Sequence, residues 1–175
     1  MKTFEIEIEG TCPLLQHKMP EEDVNAPLRR QEVDKHDNPE DFLYNVGGKI
    51  CQPATCIERS IVQSASSFKI VGRGKKTYKD AAKTIFITPE MIPHTLQDWR
   101  PYSVSVVIPS TKGRVIRSRP RFDKWKLVFH ASFDDKIIPA EIVKKMLDYA
   151  GENVGIGDWR PRFGRFMVTS FKPVK

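Results

Sequence analysis

The sequence PAEIVKKMLDYAGENVGIGDWRPRFGRFMVTS (residues 139–170) joins a helix to a strand through a loop that is rich in glycine and arginine. Pro139 suits the first turn of a helix. The residues after it place apolar side chains at the spacing of one helix face, namely Ile142, Val143, Met146, Leu147 and Ala150. After the loop, Phe166 and Val168 alternate as in a strand with one buried face. The pattern predicts a helix packed on a sheet, followed by the last strand of that sheet.

Residues 155–165 form the glycine-rich loop. Its glycines are Gly155, Gly157 and Gly164, and its arginines are Arg160, Arg162 and Arg165. A glycine just after a helix is common as a C-cap, and this is the structural interpretation. Glycine also lets a backbone approach a ligand, and arginine offers forked donors that suit phosphate. The three arginines favour a loop that binds a polyanion.

Length and composition indicate one domain, residues 1–175. Of these residues 39% are hydrophobic and 29% are charged, as in most globular proteins. No apolar run reaches the roughly 18 residues that span a bilayer, and the N-terminus lacks the apolar core of a signal peptide. We therefore expect a cytoplasmic protein with no membrane partner. The three cysteines, Cys12, Cys51 and Cys56, lack a second pair of zinc ligands, so we expect free thiols, no metal and no cofactor.

The net charge of +7 is divided unevenly along the chain. Residues 1–68 contain 7 Lys and Arg against 12 Asp and Glu, a net charge of −5, whereas residues 69–175 contain 22 against 10, a net charge of +12. A basic region of this size is typical of a surface that binds nucleic acid or another polyanion. The division also permits an acidic patch on one copy to meet a basic patch on the next.

Alternation of apolar residues predicts the other strands. Phe4, Ile6 and Ile8 alternate with glutamates and predict the first strand. Residues 125–133 alternate in the same way, and residues 83–88 alternate less strictly.

Residues 53–65 predict the first helix, because Ile57, Ile61 and Ala65 share one helix face and a proline precedes them. Residues 20–45 are polar and contain no apolar periodicity. They predict a long loop or thumb-like insertion.

Residues 101–121 predict a hairpin arm, because two alternating runs flank a Lys-Gly turn. Its second limb carries Arg117, Arg119 and Arg121 at every second position. In an extended strand these side chains project from one face about 6.6 Å apart, close to the phosphate spacing of a nucleic-acid strand. Charged residues also protect sheet edges, but the grouping on one face favours binding. Further candidates for phosphate contacts are Arg114 in the arm and Arg73, Lys75 and Lys76 in the basic loop, residues 72–76, whose structural interpretation is a solvated turn.

Apart from the insertions, the predicted order is strand, helix, strand, strand, helix, strand. This βαββαβ order is that of ferredoxin-like and RRM-like domains, an α+β fold. Two helices cover one face of such a sheet, and the other face is free for a ligand or a partner. We therefore expect an RRM-like core with an inserted long loop and a hairpin arm.

Two motifs make the chain resemble a known family. The glycine-rich loop lies between the last helix and the last strand, and GKICQPATCIER (residues 48–59) opens the first helix with a proline, a small residue and a threonine. A looser match is the first strand that runs into GTCPLL (residues 10–15). These motifs resemble the RAMP superfamily, the RRM-like subunits of CRISPR effector complexes, although Glu58 departs from the family's basic helix start. The chain also resembles unassigned sequences of phages and prophages. The resemblance implies an RRM-like core with a glycine-rich loop at a nucleic-acid site, rather than membership of one complex.

Charge, arginine pattern and resemblance together predict a protein that binds single-stranded nucleic acid, RNA in preference to DNA. It would be a backbone or accessory subunit of a ribonucleoprotein complex. The cations would contact phosphates, and Trp159 is the first candidate for stacking on bases. Phe122 and Phe163 are further candidates, for which packing in the core is an equal interpretation.

Three alternatives remain open. A metal-independent endoribonuclease needs an acid, a base and a cation near the loop, and His17 with Lys18 is the only candidate pair, so binding is favoured over catalysis. A phage single-strand DNA-binding or recombination accessory protein would use the same basic surface. A pure assembly subunit would form head-to-tail oligomers, or bind other complex subunits, through acidic and basic patches.

Overall fold

The computed structural model of the chain describes residues 1–19, 38–107 and 109–174. Helices combine with antiparallel sheets in an α+β architecture, as the sequence predicted. The strands are β1 (Lys2–Gly10), β2 (Leu14–Leu15), β3 (Asn45–Val46), β4 (Lys49–Pro53), β5 (Phe86–Thr88), β6 (Met91–Pro93), β7 (Arg100–Val107), β8 (Arg114–Phe122), β9 (Lys126–Phe133) and β10 (Phe166–Pro173). The helices are α1 (Ala54–Ala65), α2 (Lys79–Ala82) and α3 (Ala140–Tyr149). A 3-10 turn spans Pro39–Phe42, and a π turn over Ala150–Val154 extends α3.

The central sheet has the strand order β10-β1-β9-β5, and every neighbouring pair is antiparallel. Phe4, Ile6 and Ile8 of β1 are buried on one face, so the predicted first strand and its inward side are confirmed. The apolar faces of α1 and α3 join the same core. The two helices also contact each other, because the Ser64 hydroxyl donates to the backbone oxygen of Met146 at 2.9 Å.

The opposite face of the central sheet carries three carboxylates on β1, with Lys126 of β9 and Lys172 of β10 beside them. Glu5, Glu7 and Glu9 of β1 alternate with its buried residues and point away from the helices. Lys126 of β9 forms an ion pair with Glu7 at 2.8 Å. Because the carboxylates occupy the middle of the sheet, this free face is a poor surface for phosphate groups.

Two smaller sheets flank the central one. The first has the order β2-β8-β7, and Leu14 of β2 is paired with Phe122 of β8. Its strands β7 and β8 form the predicted hairpin, with Val107 opposite Arg114 nearest the tip. The second has the order β3-β4-β6. The first of these sheets places the base of the hairpin beside the glycine-rich loop, where the Tyr102 and Phe163 ring centres lie 5.5 Å apart.

The strand predicted over residues 83–88 is shorter than expected. Strand β5 begins at Phe86, because Lys83, Thr84 and Ile85 form a turn at the end of α2. The Glu58 carboxylate accepts a hydrogen bond from the Ile87 backbone N–H at 3.0 Å. This contact gives a structural role to the residue that departs from the family's basic helix start.

The predicted insertion over residues 20–45 falls partly outside the described residues, which resume at Asn38. Its last part contributes an apolar side chain to the protein interior, because Phe42 is only 2% exposed. The described helices include none with the length and apolarity needed to cross a membrane.

Candidate nucleic-acid interface

The glycine-rich loop is fastened by backbone hydrogen bonds, both across itself and to the segment around β2. Ile156 N–H donates to the Gly164 carbonyl at 2.9 Å, and Gly164 N–H donates to Pro13 at 2.8 Å. Asp158 N–H donates to the Leu15 carbonyl at 2.9 Å. The loop is therefore a closed structure docked on the start of the chain.

The glycines make this closure possible. Gly157 and Gly164 have positive φ angles of 78° and 75°, which glycine adopts at little cost. A Cβ atom at Gly164 would overlap the carbonyl oxygen of Ile156, and one at Gly157 would overlap that of Leu15. Gly155 also lies against the Gly164 carbonyl. The space that the glycines leave open is filled by the protein itself, so they shape the loop while other residues must contact a ligand.

The loop arginines supply exposed charge. Arg160, Arg162 and Arg165 are all exposed. Beside them Trp159 has a positive φ of 57°, rare for a bulky residue, and its side chain is 48% exposed. The loop thus exposes three guanidinium groups and one indole ring.

The other two candidate aromatic residues belong to the core. Phe163 is 6% exposed and lies under Trp159, with the ring planes 13° apart and the centroids 6.2 Å apart. Phe122 is fully buried and stacks on the His94 ring at 4.7 Å. Phe163 therefore supports the exposed indole, and Phe122 is not available to a base.

The Arg119 guanidinium group binds other residues of the protein. Its Nε donates to Asp158 Oδ2 at 3.2 Å, its Nη1 donates to the Ser118 carbonyl at 2.9 Å, and its Nη2 donates to His17 Nε2 at 3.3 Å. The guanidinium also lies 4.3 Å from the centre of the Phe42 ring, and the side chain is only 12% exposed. Arg119 thus ties the hairpin to the loop, to the segment after β2 and to the 3-10 turn.

His17, the candidate catalytic histidine, lies beside Arg119 and Asp158 and is therefore close to the loop. Because arginine only donates hydrogen bonds, His17 Nε2 accepts from Arg119, and His17 Nδ1 faces Asp158 Oδ2 at 3.7 Å. Burial, and then the Arg119 charge, lower the pKa of His17, so the ring is neutral at pH 7. The adjacent Lys18 continues the chain, and its backbone N–H donates to Phe42 at 3.0 Å. The arrangement orients Arg119 and Asp158.

Arg121 lies at the rim of the interface. Its guanidinium lies 5.3 Å from the Tyr102 ring centre and 5.9 Å from that of Phe163. Its Nε donates to Asp123 Oδ1 at 2.6 Å, and Arg100 Nε donates to Asp123 Oδ2 at 2.5 Å. The hydrogen bond from Arg100, followed by that from Arg121, lowers the pKa of Asp123. Asp123 thus fixes both strands at the base of the hairpin.

The remaining predicted cations lie on elements other than the glycine-rich loop. The basic loop follows the C-terminal end of α1, whereas Ser60, near the middle of α1, donates to the Gly155 carbonyl at 2.9 Å. Arg114 is seven residues from Arg121 along β8, which corresponds to about 23 Å in a strand. Arg117 lies between them, opposite Val104. Arg73, Lys75 and Lys76 are exposed in the basic loop, and their contact with RNA stays a prediction.

Sequence reasoning missed the residues that hold the site together. Asp158 was visible within the loop, but its bond to Arg119, 39 residues away in sequence, had no local signal. Phe42 was a single aromatic residue in a polar segment, and only its burial under Arg119 shows its role.

The sequence matches no profile of a known protein family and no curated protein. Solved structures do resemble it. One is a chain of a type III-B Cmr-beta complex bound to cognate target RNA, with a TM-score of 0.58 at 10% identity over 99% of this chain and 61% of that chain. Another is a chain of a type IV-B CRISPR complex, with a TM-score of 0.52 at 9% identity over 95% of this chain and 89% of that chain. This chain spans about three fifths of the length of the first. It therefore shares its fold with chains of two CRISPR complexes.

Proposed function

We propose that this chain is a subunit of a ribonucleoprotein complex and that it binds single-stranded RNA through the glycine-rich loop. The observation that carries the proposal is the exposed set of Arg160, Arg162 and Arg165 beside the exposed Trp159. Guanidinium groups contact phosphates, and an indole ring stacks on a base. A loop closed by its own backbone holds these groups in a fixed arrangement, which lowers the entropy cost of binding.

The proposal includes a ferredoxin-like core related to the RAMP superfamily. It is supported by the strand order of the central sheet and by the position of the loop between α3 and β10. The similarity in fold to chains of two CRISPR complexes, one of them bound to target RNA, also supports it.

Within such a core the RNA would not lie on the free face of the central sheet. That face carries Glu5, Glu7 and Glu9, and carboxylates repel phosphates. At the base of the hairpin, Arg121 and Tyr102 instead lie beside Phe163 of the glycine-rich loop, on which Trp159 stacks. The predicted path therefore crosses the loop and continues along the hairpin towards Arg117 and Arg114.

Fluorescence anisotropy with labelled single-stranded RNA and DNA, measured across salt concentrations, tests this function. Replacing Arg160 and Arg162 by alanine should weaken binding by about tenfold for each lost phosphate contact. The slope of log affinity against log salt should fall by about 1.4, since each contact contributes about 0.7 on single strands. Changing the exposed Lys136 and Lys145 to alanine removes the same charge elsewhere and should leave both quantities unchanged. Equal losses in the two double variants would refute the site.

The same assay separates the alternatives. Tighter binding of DNA than of RNA would favour a phage single-strand DNA-binding protein, and cleavage products lost on His17→Ala would favour an endoribonuclease. Head-to-tail assembly, in which the acidic sheet face of one copy meets the basic surface of the next, predicts oligomers that persist after nuclease treatment.

A further inference from the structure

An open groove of about 460 Å³ lies between α1, α2 and the edge strand β5. The apolar residues of its lining are Val62, Ala82, Ile85 and Phe86. Three of them are aliphatic, and the fourth, Phe86, is 58% exposed. The groove therefore offers an apolar surface of which one large side chain is uncovered.

The groove and the glycine-rich loop lie on different flanks of α1. Ser60 faces the loop, because its hydroxyl donates to the Gly155 carbonyl at 2.9 Å. Val62 lies two residues further, so at about 100° per residue its side chain points roughly 160° away around the helix. Glu58, Val62 and Ser66 all line the groove and recur every four residues, which makes a stripe about 12 Å long. This surface is therefore separate from the candidate RNA interface.

Positive charge surrounds the groove in the sequence and in its lining. Residues 59–83 contain seven Lys and Arg against one acidic residue, Asp80, a net charge of +6. Arg59, Lys79 and Lys83 line the groove itself. All seven cations of this segment are exposed, namely Arg59, Lys69, Arg73, Lys75, Lys76, Lys79 and Lys83.

The carboxylates of this region already have partners. Glu58 Oε1 accepts from the Ile87 backbone N–H at 3.0 Å, and Asp80 Oδ1 forms an ion pair with Lys83 at 2.8 Å. Within the part of the chain that the structure describes, Arg59 and Lys79 form no ion pair. These two cations are the groups that carboxylates from another molecule would meet.

The contact from Glu58 also limits how a partner can bind. Strand β5 lies at the end of the central sheet, where a partner could add a strand. The Ile87 N–H is bonded to Glu58 instead, so this position of the edge is closed. A partner must then bind through side chains that pack in the groove, as an amphipathic helix does.

The lining favours a protein partner over a nucleic-acid strand. Bases of a single strand stack on aromatic rings, and Phe86 is the only aromatic residue of the lining. Val62, Ala82 and Ile85 instead suit aliphatic side chains, whose burial is favourable by the hydrophobic effect. An acidic amphipathic helix would satisfy both the apolar lining and the two cations.

We infer that this groove docks an acidic amphipathic helix of a partner protein, with aliphatic side chains against Val62 and Phe86 and carboxylates paired with Arg59 and Lys79. The inference rests on the proposed function in one respect, because a subunit of a ribonucleoprotein complex needs a surface for a neighbouring protein. The groove provides that surface on the flank of α1 that does not face the glycine-rich loop.

Fluorescence anisotropy with two labelled synthetic helical peptides tests the groove. Both peptides carry leucine along one face, and the other face is glutamate in one peptide and lysine in the other. At about 0.15 M salt, where surface charges act over about 8 Å, the glutamate peptide should bind at least tenfold more tightly than the lysine peptide. In methyl spectra of the protein it should shift the signals of Val62 and Ile85.

Exposed residues supply the variants, so the fold should be retained. The double change Arg59→Glu and Lys79→Glu should weaken the glutamate peptide about tenfold, because two attractions become repulsions. The matched control, Lys136→Glu with Lys145→Glu, changes two exposed cations on other elements and should leave the peptide affinity unchanged. Phe86→Ala should weaken the peptide by about fivefold, as the loss of an aromatic anchor does.

Uridine oligomers separate the groove from the proposed function. The Arg59/Lys79 variant should bind them as the Lys136/Lys145 control does, and the Arg160/Arg162 alanine variant should bind the glutamate peptide normally. Peptide binding without RNA binding would support the groove and refute the RNA interface alone. Equal binding of the two peptides, an unaltered Arg59/Lys79 variant, or methyl shifts that exclude Val62 and Ile85 would overturn the inference. A loss of oligomer affinity in the Arg59/Lys79 variant beyond that of the control would also overturn it, by assigning the groove to RNA.

Discussion

Gly164→Ala should destabilise the fold and abolish RNA binding, because the loop has no room for a methyl group at this position. Two costs add. An L-residue in left-handed backbone costs about 1–2 kcal/mol, and the φ of Gly164 is 75°. In addition the new Cβ would lie much closer than 3.0 Å to the Ile156 carbonyl oxygen, and real Cβ atoms essentially never approach another heavy atom so closely. The repacking that this forces costs about 1–3 kcal/mol. The free energy of unfolding should fall by about 2–5 kcal/mol.

Gly74→Ala is the matched control. Gly74 also has a positive φ, 61°, but no atom lies within 4 Å of its Cβ position. This variant should therefore show only the backbone cost, about 1–2 kcal/mol. The difference between the two variants isolates the packing of the glycine-rich loop.

Urea unfolding followed by circular dichroism gives the two free energies, and anisotropy gives the RNA affinities. Displacing the Ile156–Gly164 contact moves Arg162 and Arg165, so Gly164→Ala should lose RNA binding under conditions where it is still folded. Gly74→Ala should bind as the unchanged protein does. Equal destabilisation of the two variants, or normal binding by folded Gly164→Ala, would refute the structural role of the glycine.

Three further predictions concern single residues. In a double-mutant cycle, Arg119→Ala and Asp158→Asn should show a coupling of about 1–3 kcal/mol in unfolding free energy, and additive effects would contradict the bond. The folded pKa of His94, about 4, lies below its ordinary value of 6.5, so its neutral form stabilises the fold at neutral pH. The free energy of unfolding should fall by about 2 kcal/mol from pH 7.5 to pH 5 because of this group. His94→Gln should lose that part of the pH dependence. An unchanged pH dependence in the variant would contradict the lowered pKa of His94. Trp159→Ala should weaken RNA binding by about 1–3 kcal/mol with little effect on stability, and normal affinity would exclude stacking.

The sequence predicted the elements whose residues alternate or repeat on one buried face. In β1 the burial of Phe4, Ile6 and Ile8 follows directly from their alternation with glutamates. In α1 the buried Ile57 and Ile61 follow from helical spacing. Such periodicity is local, so it can be recognised before any tertiary contact is known.

Elements without periodicity were not predictable in the same way. Strands β2 and β3 have two residues each, too few for alternation to show. The pairing of Leu14 with Phe122 depends on residues more than 100 positions apart.

The candidate site was predicted by residue type but not by arrangement. The arginines at every second position of β8 are present, yet Arg119 is bonded to Asp158 and His17 whereas Arg114 is exposed near the tip. Sequence spacing gives the face of a strand and not the partner of each side chain. Long-range ion pairs decide which arginines remain available to a ligand.

Photo-crosslinking of 4-thiouridine RNA to the protein, with the attachment sites mapped by mass spectrometry, shows which residues contact the RNA. We expect crosslinks within residues 155–165, at Trp159 above all, and at Tyr102 beside the loop. Crosslinks confined to the central sheet face around Val128 and Met167, or to the basic loop at residues 72–76, would contradict this expectation.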